Sequence, residues 1–149
     1  MQNRSRCRSD VTRSCGLRPP GRERQCDNAQ ALARILRGHP GVRAVRYPGL
    51  AEDLAYPVAA AQMRRFGALV SVEFADAGAV HALVQRSELI IAATSFGGIH
   101  TSVDRRARWG DSVTDGFARI SLGIENTDDL LADNERALDV RPMNSPLNQ

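Results

Sequence analysis

Apolar and polar residues alternate along three short segments of the chain, and this alternation predicts β-strands. Residues 42–47, 68–74 and 117–122 each place every second side chain on the same face. In residues 68–74 one face is entirely apolar, which predicts a strand in a central position of the sheet. Residues 89–93 form a continuous apolar run and are predicted to be a further, buried strand.

Four helices are predicted from apolar stripes at helical spacing and from helix-start residues. Pro57 opens a helix over residues 58–66, and Asn126 or Thr127 caps the last helix. A sheet of three or four strands covered by helices is an α+β layer architecture. The stripes of the first, third and last helices consist of Ala29, Leu32, Ala33 and Leu36, of Ala79, Val80, Leu83 and Val84, and of Leu130, Leu131 and Leu138.

The length of 149 residues is enough for one domain, and the first part of the chain differs from the rest. Arginines are concentrated before residue 24, where acidic residues are few, which permits a transit peptide or a nucleic-acid-binding arm. That segment lacks a helical apolar period and aromatic residues, so we expect residues 1–23 to be a disordered, non-native leader. Residues 24–140 are then the folded domain, and residues 141–149 are a tail.

Composition excludes several classes of protein. Cys7, Cys15 and Cys26 match neither a zinc half-site nor a Cys-x-x-Cys redox motif, so we expect reduced thiols in a cytoplasmic protein. The three histidines are scattered, and the sequence predicts no metal site. No apolar run reaches eighteen residues, which predicts no membrane partner.

Arg119 is the first candidate binding residue. It lies on the same face of its predicted strand as Phe117 and Ser121, and its guanidinium can pair with a carboxylate through two parallel hydrogen bonds. An arginine within a strand is costly unless it has an anionic partner. The residues alone leave a structural alternative open, in which Arg119 forms a salt bridge with Glu73 or Glu125.

Ser95 is the second candidate. It begins a Ser-Phe-Gly-Gly segment directly after the predicted strand at residues 89–93, and loops that leave a sheet commonly carry binding groups. Gly97 and Gly98 would permit close approach of a ligand to the backbone. An ordinary surface turn is the alternative.

These two segments together resemble the C-terminal domain of the pyridoxal-phosphate (PLP) enzymes of cysteine and methionine metabolism, the family of cystathionine γ-lyase, γ-synthase and β-lyase. The Arg-x-Ser-x-Gly-x-Glu pattern at residues 119–125 and the Ser-led loop are its main landmarks, and residues 47–50 and 62–74 add others. The resemblance covers residues 24–138. His100 stands where many members carry glutamate, and with residues 105–110 it is most similar to a bacterial γ-lyase branch.

The resemblance implies a function for both candidates. Arg119 would bind the α-carboxylate of a small sulfur amino acid substrate, and Ser95 would lie against the PLP cofactor and that carboxylate. The fold would be the small C-terminal domain of fold-type I PLP enzymes. The family attaches PLP to a lysine, whereas all twenty basic residues of this chain are arginines, so the chain cannot form that link itself and carries no catalytic residue.

Two functional hypotheses follow. In the first, the chain is a truncated substrate-binding domain of a transsulfuration enzyme that acts on carbon–sulfur bonds, and it needs a large-domain partner or assembles as a homo-oligomer. In the second, it is a non-catalytic remnant or interaction fragment. A basic loop, Arg105, Arg106, Arg108 and Trp109, is a weak indication of nucleic-acid binding, and we expect no nucleic-acid partner.

Overall fold

A computed structural model describes residues 19–139, with side chains from residue 21 onward. These residues form four α-helices, one short 3₁₀-helix and five β-strands. The α-helices are α1 (Pro19–Gly38), α2 (Tyr56–Gln62), α3 (Ala77–Arg86) and α4 (Thr127–Leu138), and the 3₁₀-helix is Arg106–Trp109. The strands are β1 (Val42–Arg46), β2 (Leu69–Phe74), β3 (Ile91–Ala92), β4 (Ser102–Arg105) and β5 (Phe117–Ser121).

All five strands join in one sheet with the order β1-β2-β5-β4-β3. Only the β3–β4 pair is parallel, and the other pairs are antiparallel. The sheet therefore has one strand more than the three or four that the sequence predicts, while the α+β architecture is confirmed. Strand β2 has neighbours on both sides, as its apolar face predicts, and β5 is the middle strand.

The two faces of the sheet differ in character. Val70, Val72, Ala118 and Ile120 are completely buried on one face, where α1, α3 and α4 cover them and complete the hydrophobic core. The alternate residues of β2 and β5 point to the second face, which no α-helix of this core covers. Because one face is sealed by packing, binding groups of the sheet must lie on the second face.

The helix-start predictions are confirmed in part. The side chain of Asn126, rather than Thr127, caps α4 by accepting hydrogen bonds from the backbone N–H groups of Asp128 and Asp129. Helix α2 ends at Gln62, four residues earlier than predicted, because the backbone becomes extended at Met63. Helix α1 begins at Pro19, so residues 19–23 are helical.

At the far edge of the sheet one prediction is wrong and one strand was not predicted. Residues 89–93 were expected to form a buried strand, but only Ile91–Ala92 is a strand, and both of its residues are exposed because β3 is an edge strand with one neighbour. Strand β4 was not predicted. Its buried residues include Ser102 and Asp104, so it lacks the apolar pattern that marks a buried strand.

The remaining sequence predictions on the termini concern residues 1–18 and 140–149, which include Cys7 and Cys15 and lie outside the described residues. Among the described helices, none is both long and apolar enough to cross a membrane.

Candidate functional site

Arg119 lies at the centre of the second face of the sheet. It belongs to the middle strand β5, directly opposite Ser71 of β2 and Asp104 of β4. The burial pattern of β5 confirms the predicted alternation, since Ala118 and Ile120 are buried in the core and Arg119 is half-buried on the other side. The strand therefore holds this arginine on the face that the helical core leaves uncovered.

The guanidinium of Arg119 has no acceptor among the described residues. Its Nε is fully buried and makes no hydrogen bond. The carbon Cζ lies 4.6 Å from the centre of the Phe96 ring, so an aromatic ring covers one face of the cation. A buried polar nitrogen without a partner is unfavourable by about 1–3 kcal/mol, which a hydrogen-bond acceptor would relieve.

The structural alternative for Arg119 receives no support in the described part of the chain. Arg119 forms no ion pair there with Glu73 or Glu125. The Glu125 carboxylate instead accepts a hydrogen bond of 2.8 Å from the hydroxyl of Thr101. The described residues therefore contain no carboxylate that is paired with Arg119.

The Ser95-led loop lies over this part of the sheet. The carbonyl of Ser95 accepts a hydrogen bond from the Ser102 hydroxyl at 3.2 Å, and the N–H of Gly97 donates to the Ser121 hydroxyl at 3.0 Å. Ser95 itself is exposed, and Gly97 has φ of 80°, a conformation that favours glycine. The fold therefore brings the loop that carries Ser95 next to Arg119, the two candidate positions that the sequence predicts.

Helix α1 contributes two polar residues that sequence reasoning missed. Asn28 is fully buried and donates to the carbonyls of Gly123 and Glu125, while Gln25 donates to the carbonyl of Gly98 at 2.7 Å. These bonds fix the turn after β5 and the end of the Ser95-led loop. The sequence contains only a weak indication of this role, since Asn28 is a polar residue beside the apolar stripe of α1.

The basic loop at residues 105–109 uses its charges internally. Arg106 and Arg108 pair with the completely buried carboxylate of Asp104 at 3.1 and 3.0 Å, and the Trp109 indole N–H donates to the same carboxylate at 3.1 Å. Arg105 pairs with Asp115 at 3.3 Å. This arrangement supplies a structural reason for the arginines that does not involve nucleic acid.

A cavity of about 390 Å³ adjoins the Ser95-led loop at Gly97. Its walls include the half-buried thiol of Cys26, which is free, and the side chain of Met63. The described residues contain no cluster of three or more histidine, cysteine or acidic side chains that could hold a metal ion. The guanidinium of Arg119 is a group at this site that can bind an anion.

Comparison with known proteins agrees with this geometry. The family model described as Cys/Met metabolism PLP-dependent enzyme matches residues 21–139. A Streptomyces coelicolor protein named as a cystathionine gamma-lyase is 42% identical over 118 residues, which are 78% of this chain and 30% of that protein. A cystathionine beta-lyase of Coxiella burnetii is 39% identical over 128 residues, 78% of this chain and 33% of the relative. The chain thus spans about a third of the length of these relatives.

Solved structures give the same result. The metB protein of Corynebacterium glutamicum superposes with a TM-score of 0.74 at 38% identity, over 80% of this chain and 33% of that one. A cystathionine gamma synthase of Xanthomonas oryzae pv. oryzae, solved with aminoacrylate and cysteine, gives a TM-score of 0.73 at 33% identity over 80% of this chain and 34% of that one. From its family model, its relatives and its fold, this chain belongs to the Cys/Met metabolism PLP-dependent enzymes.

Proposed function

We propose that this chain is the substrate-carboxylate-binding domain of a PLP-dependent enzyme that acts on the carbon–sulfur bonds of sulfur amino acids. Arg119 binds the α-carboxylate of the substrate, and the loop that carries Ser95 forms the wall of the site beside it. The names of the relatives, which include cystathionine lyases and synthases, support this class of substrate.

The observation that carries the proposal is the guanidinium of Arg119, which has no acceptor among the described residues and whose Nε is buried without a hydrogen-bond partner. A carboxylate has two oxygens whose spacing matches the two terminal nitrogens of a guanidinium, so it can bind the edge that remains open and neutralise the charge. A lysine at the same position could not form this planar pair. The unpaired charge and the open edge of the guanidinium therefore point to the same kind of ligand.

The residues of this chain do not fit covalent attachment of PLP. Enzymes of this chemistry hold the cofactor aldehyde on a lysine amine, and the 149 residues contain no lysine. Arginine stays protonated at any physiological pH and does not replace it. The contribution of these residues is therefore to bind and orient the substrate, while the lysine has to come from elsewhere.

The local structure suits that task. Because the Phe96 ring covers one face of the Arg119 guanidinium, it keeps water from that face and strengthens the attraction to an incoming carboxylate. Strand β5 has hydrogen-bonded neighbours on both sides, so the arginine starts from a rigid backbone. A carboxylate held in this way would be fixed in direction as well as in position.

The test is complementation with the part of the Streptomyces coelicolor relative that this chain does not span. PLP is added to the chain alone and to the mixture, and absorbance of the lysine-bound cofactor and cleavage of L-cystathionine are recorded. We expect both signals only in the mixture. Replacement of Arg119 by glutamine should abolish cleavage and leave the absorbance, whereas Arg43→Gln, an exposed arginine of β1, should change neither. Cleavage by the chain alone, or by the Arg119→Gln mixture, would contradict the proposal.

A second candidate function is that of a non-catalytic interaction fragment. Leu69 and Ile91 lie on the same sheet face as Arg119 and are 39% and 50% exposed, and Phe96 of the adjoining loop is 38% exposed. Exposed apolar side chains gathered on one face favour association. Sedimentation velocity of the chain, alone and mixed with the remainder of the relative, separates the candidates: self-association without activity in the mixture would favour the second one.

A further inference from the structure

The Ser95-led loop is attached to the sheet by a pair of serine hydroxyls. Ser102 of β4 and Ser121 of β5 lie directly opposite each other in the antiparallel register, on the face that carries Arg119. The Ser102 hydroxyl donates to the carbonyl of Ser95, and the Ser121 hydroxyl accepts from the N–H of Gly97. The two bonds therefore hold the residues immediately before and after Phe96.

This attachment places the Phe96 ring on Arg119. The ring centre is 4.6 Å from Cζ, and Arg119 lies two residues before Ser121 on the same face of β5. Gln25 of α1 adds a third bond, to the carbonyl of Gly98. Because hydrogen bonds hold the loop at Ser95, Gly97 and Gly98, the loop has little freedom to move. The Phe96 ring is therefore fixed relative to the guanidinium.

The fixed ring limits how a ligand can reach the cation. Phe96 occupies one face of the guanidinium, and Nε is buried. Nε is also the single Arg119 nitrogen that is both completely buried and without a partner in the described part of the chain. The edge with the two terminal nitrogens is the remaining side of the group, and it lies in the plane in which a carboxylate forms paired hydrogen bonds.

We propose that Ser102 and Ser121 are positioning residues of the carboxylate site, which hold Phe96 over Arg119 so that the guanidinium presents one edge to the substrate carboxylate. The proposal rests on the proposed function of Arg119 and assigns roles to three further residues. The two serines act through the loop, and Phe96 determines the direction of approach.

The first test does not depend on any ligand. A guanidinium under an aromatic ring has an Nε–H proton signal that the ring current moves, and burial slows the exchange of that proton with water. We expect Arg119 to show this shifted, slowly exchanging signal in a nitrogen-15 NMR spectrum of the whole chain. Phe96→Leu should abolish the shift, and Phe96→Tyr, which keeps the ring, should restore it.

The serines are tested by the same signal. The double variant Ser102→Ala, Ser121→Ala should accelerate Nε–H exchange and reduce the ring shift, whereas Ser121→Thr, which keeps a hydroxyl, should preserve both. Ser71→Ala is the matched control, because Ser71 lies opposite Arg119 on the same face and does not hold the loop. An unchanged signal in the double variant, with the native circular dichroism spectrum retained, would overturn the role of the serines.

Binding of L-methionine, measured by calorimetry, gives the functional consequence. Loss of the cation–π contact in Phe96→Leu should weaken binding about 2- to 5-fold. Loss of the two loop hydrogen bonds should weaken it about 3- to 10-fold. If Arg119→Gln binds as well as wild type, the proposed function fails. If Arg119→Gln loses binding while the Phe96 and serine variants keep it, the positioning proposal alone fails.

Discussion

Asp104 and Arg119 are opposite charges on neighbouring strands, directly across from each other and on the same face of the sheet, yet their surroundings differ completely. Asp104 is fully buried. Its carboxylate accepts hydrogen bonds from Arg106 and from the Trp109 indole N–H, and it forms an ion pair with Arg108. Arg119 has a buried nitrogen with no acceptor. Charges placed directly opposite in a sheet commonly pair, but here the carboxylate turns to the 3₁₀-helix instead.

The pKa of Asp104 reflects its complete set of partners. Burial alone raises the pKa of Asp104, but hydrogen bonds from Trp109 and Arg106 and the charge of Arg108 outweigh it and hold the pKa below its usual value. A buried charge with a complete set of partners has a structural role. A buried donor that lacks one, beside a loop of glycines, is typical of a binding site. Under the proposed function, Asp104 belongs to the part of this face that stabilises the domain and Arg119 to the part that binds a ligand.

The largest loss of stability is expected when Asp104, whose charge has a complete set of partners, is replaced. Asp104→Ala leaves two guanidiniums and an indole N–H without their shared acceptor, and should lower the free energy of unfolding by about 2–3 kcal/mol. Urea unfolding followed by circular dichroism measures the loss. Asp115→Ala, which removes an exposed carboxylate paired with Arg105, should cause a clearly smaller loss. Equal losses would contradict the structural role of Asp104.

Asp133 is a second buried carboxylate with a complete set of partners. The pH dependence of its contribution to stability tests the structural role that Asp104 is also assigned. Asp133 of α4 accepts hydrogen bonds from the Ser87 hydroxyl and from the N–H groups of Glu88 and Leu89, and it pairs with Arg136. Burial raises its pKa, but these bonds outweigh burial and leave the pKa below its usual value. Asp133→Asn should therefore destabilise the domain by about 1–2 kcal/mol at pH 7.

The sign of the pH effect follows from the lowered pKa. The charged form of Asp133 is favoured in the folded state, so its stabilisation is complete above the unfolded-state pKa of about 3.9 and is lost as the pH falls below it. The difference between wild type and Asp133→Asn should shrink in acid. Glu135→Gln, an exposed residue of the same helix, should show no such trend. A difference that stays constant from pH 7 to pH 3 would count against this account.

The smallest effect on stability is expected at Arg119. Arg119→Gln removes an unpartnered buried nitrogen, which is unfavourable, and also the cation–π contact with Phe96, which is favourable. Because the two effects offset each other, the free energy of unfolding should change by less than about 1 kcal/mol, in either direction. The measurement is urea unfolding under the conditions used for Asp104→Ala. A loss as large as that of Asp104→Ala would assign Arg119 a structural role and remove the contrast.

The sequence predicts the elements whose pattern is local. Alternation in β5 identifies the face of Arg119, and Asn126 is recognisable as a helix cap. Strand β4 is invisible to the same reasoning because Ser102 and Asp104 are polar residues buried by the loop and by the 3₁₀-helix. The buried polar groups of Ser102 and Asp104 form hydrogen bonds with partners that only the tertiary structure brings near.

The candidate site is likewise only partly predictable from the sequence. Arg119 and Ser95 are recognisable from motifs, and the fold brings their segments together through Ser121 and Ser102. The lack of an acceptor for Arg119 is not predictable from sequence, since the residue pattern also permits a salt bridge with Glu73 or Glu125. Which carboxylate turns towards which arginine depends on geometry that the residue pattern does not contain.

The most direct test of the central claim is a titration of the Arg119 Nε–H signal with L-methionine and, separately, with L-methioninamide, which differs only in its missing carboxylate. We predict a saturable shift with L-methionine, none with the amide, and no shift of the Arg43 signal with either compound. The same response to both compounds, or no response of Arg119 to L-methionine, would contradict the claim that this arginine binds a carboxylate.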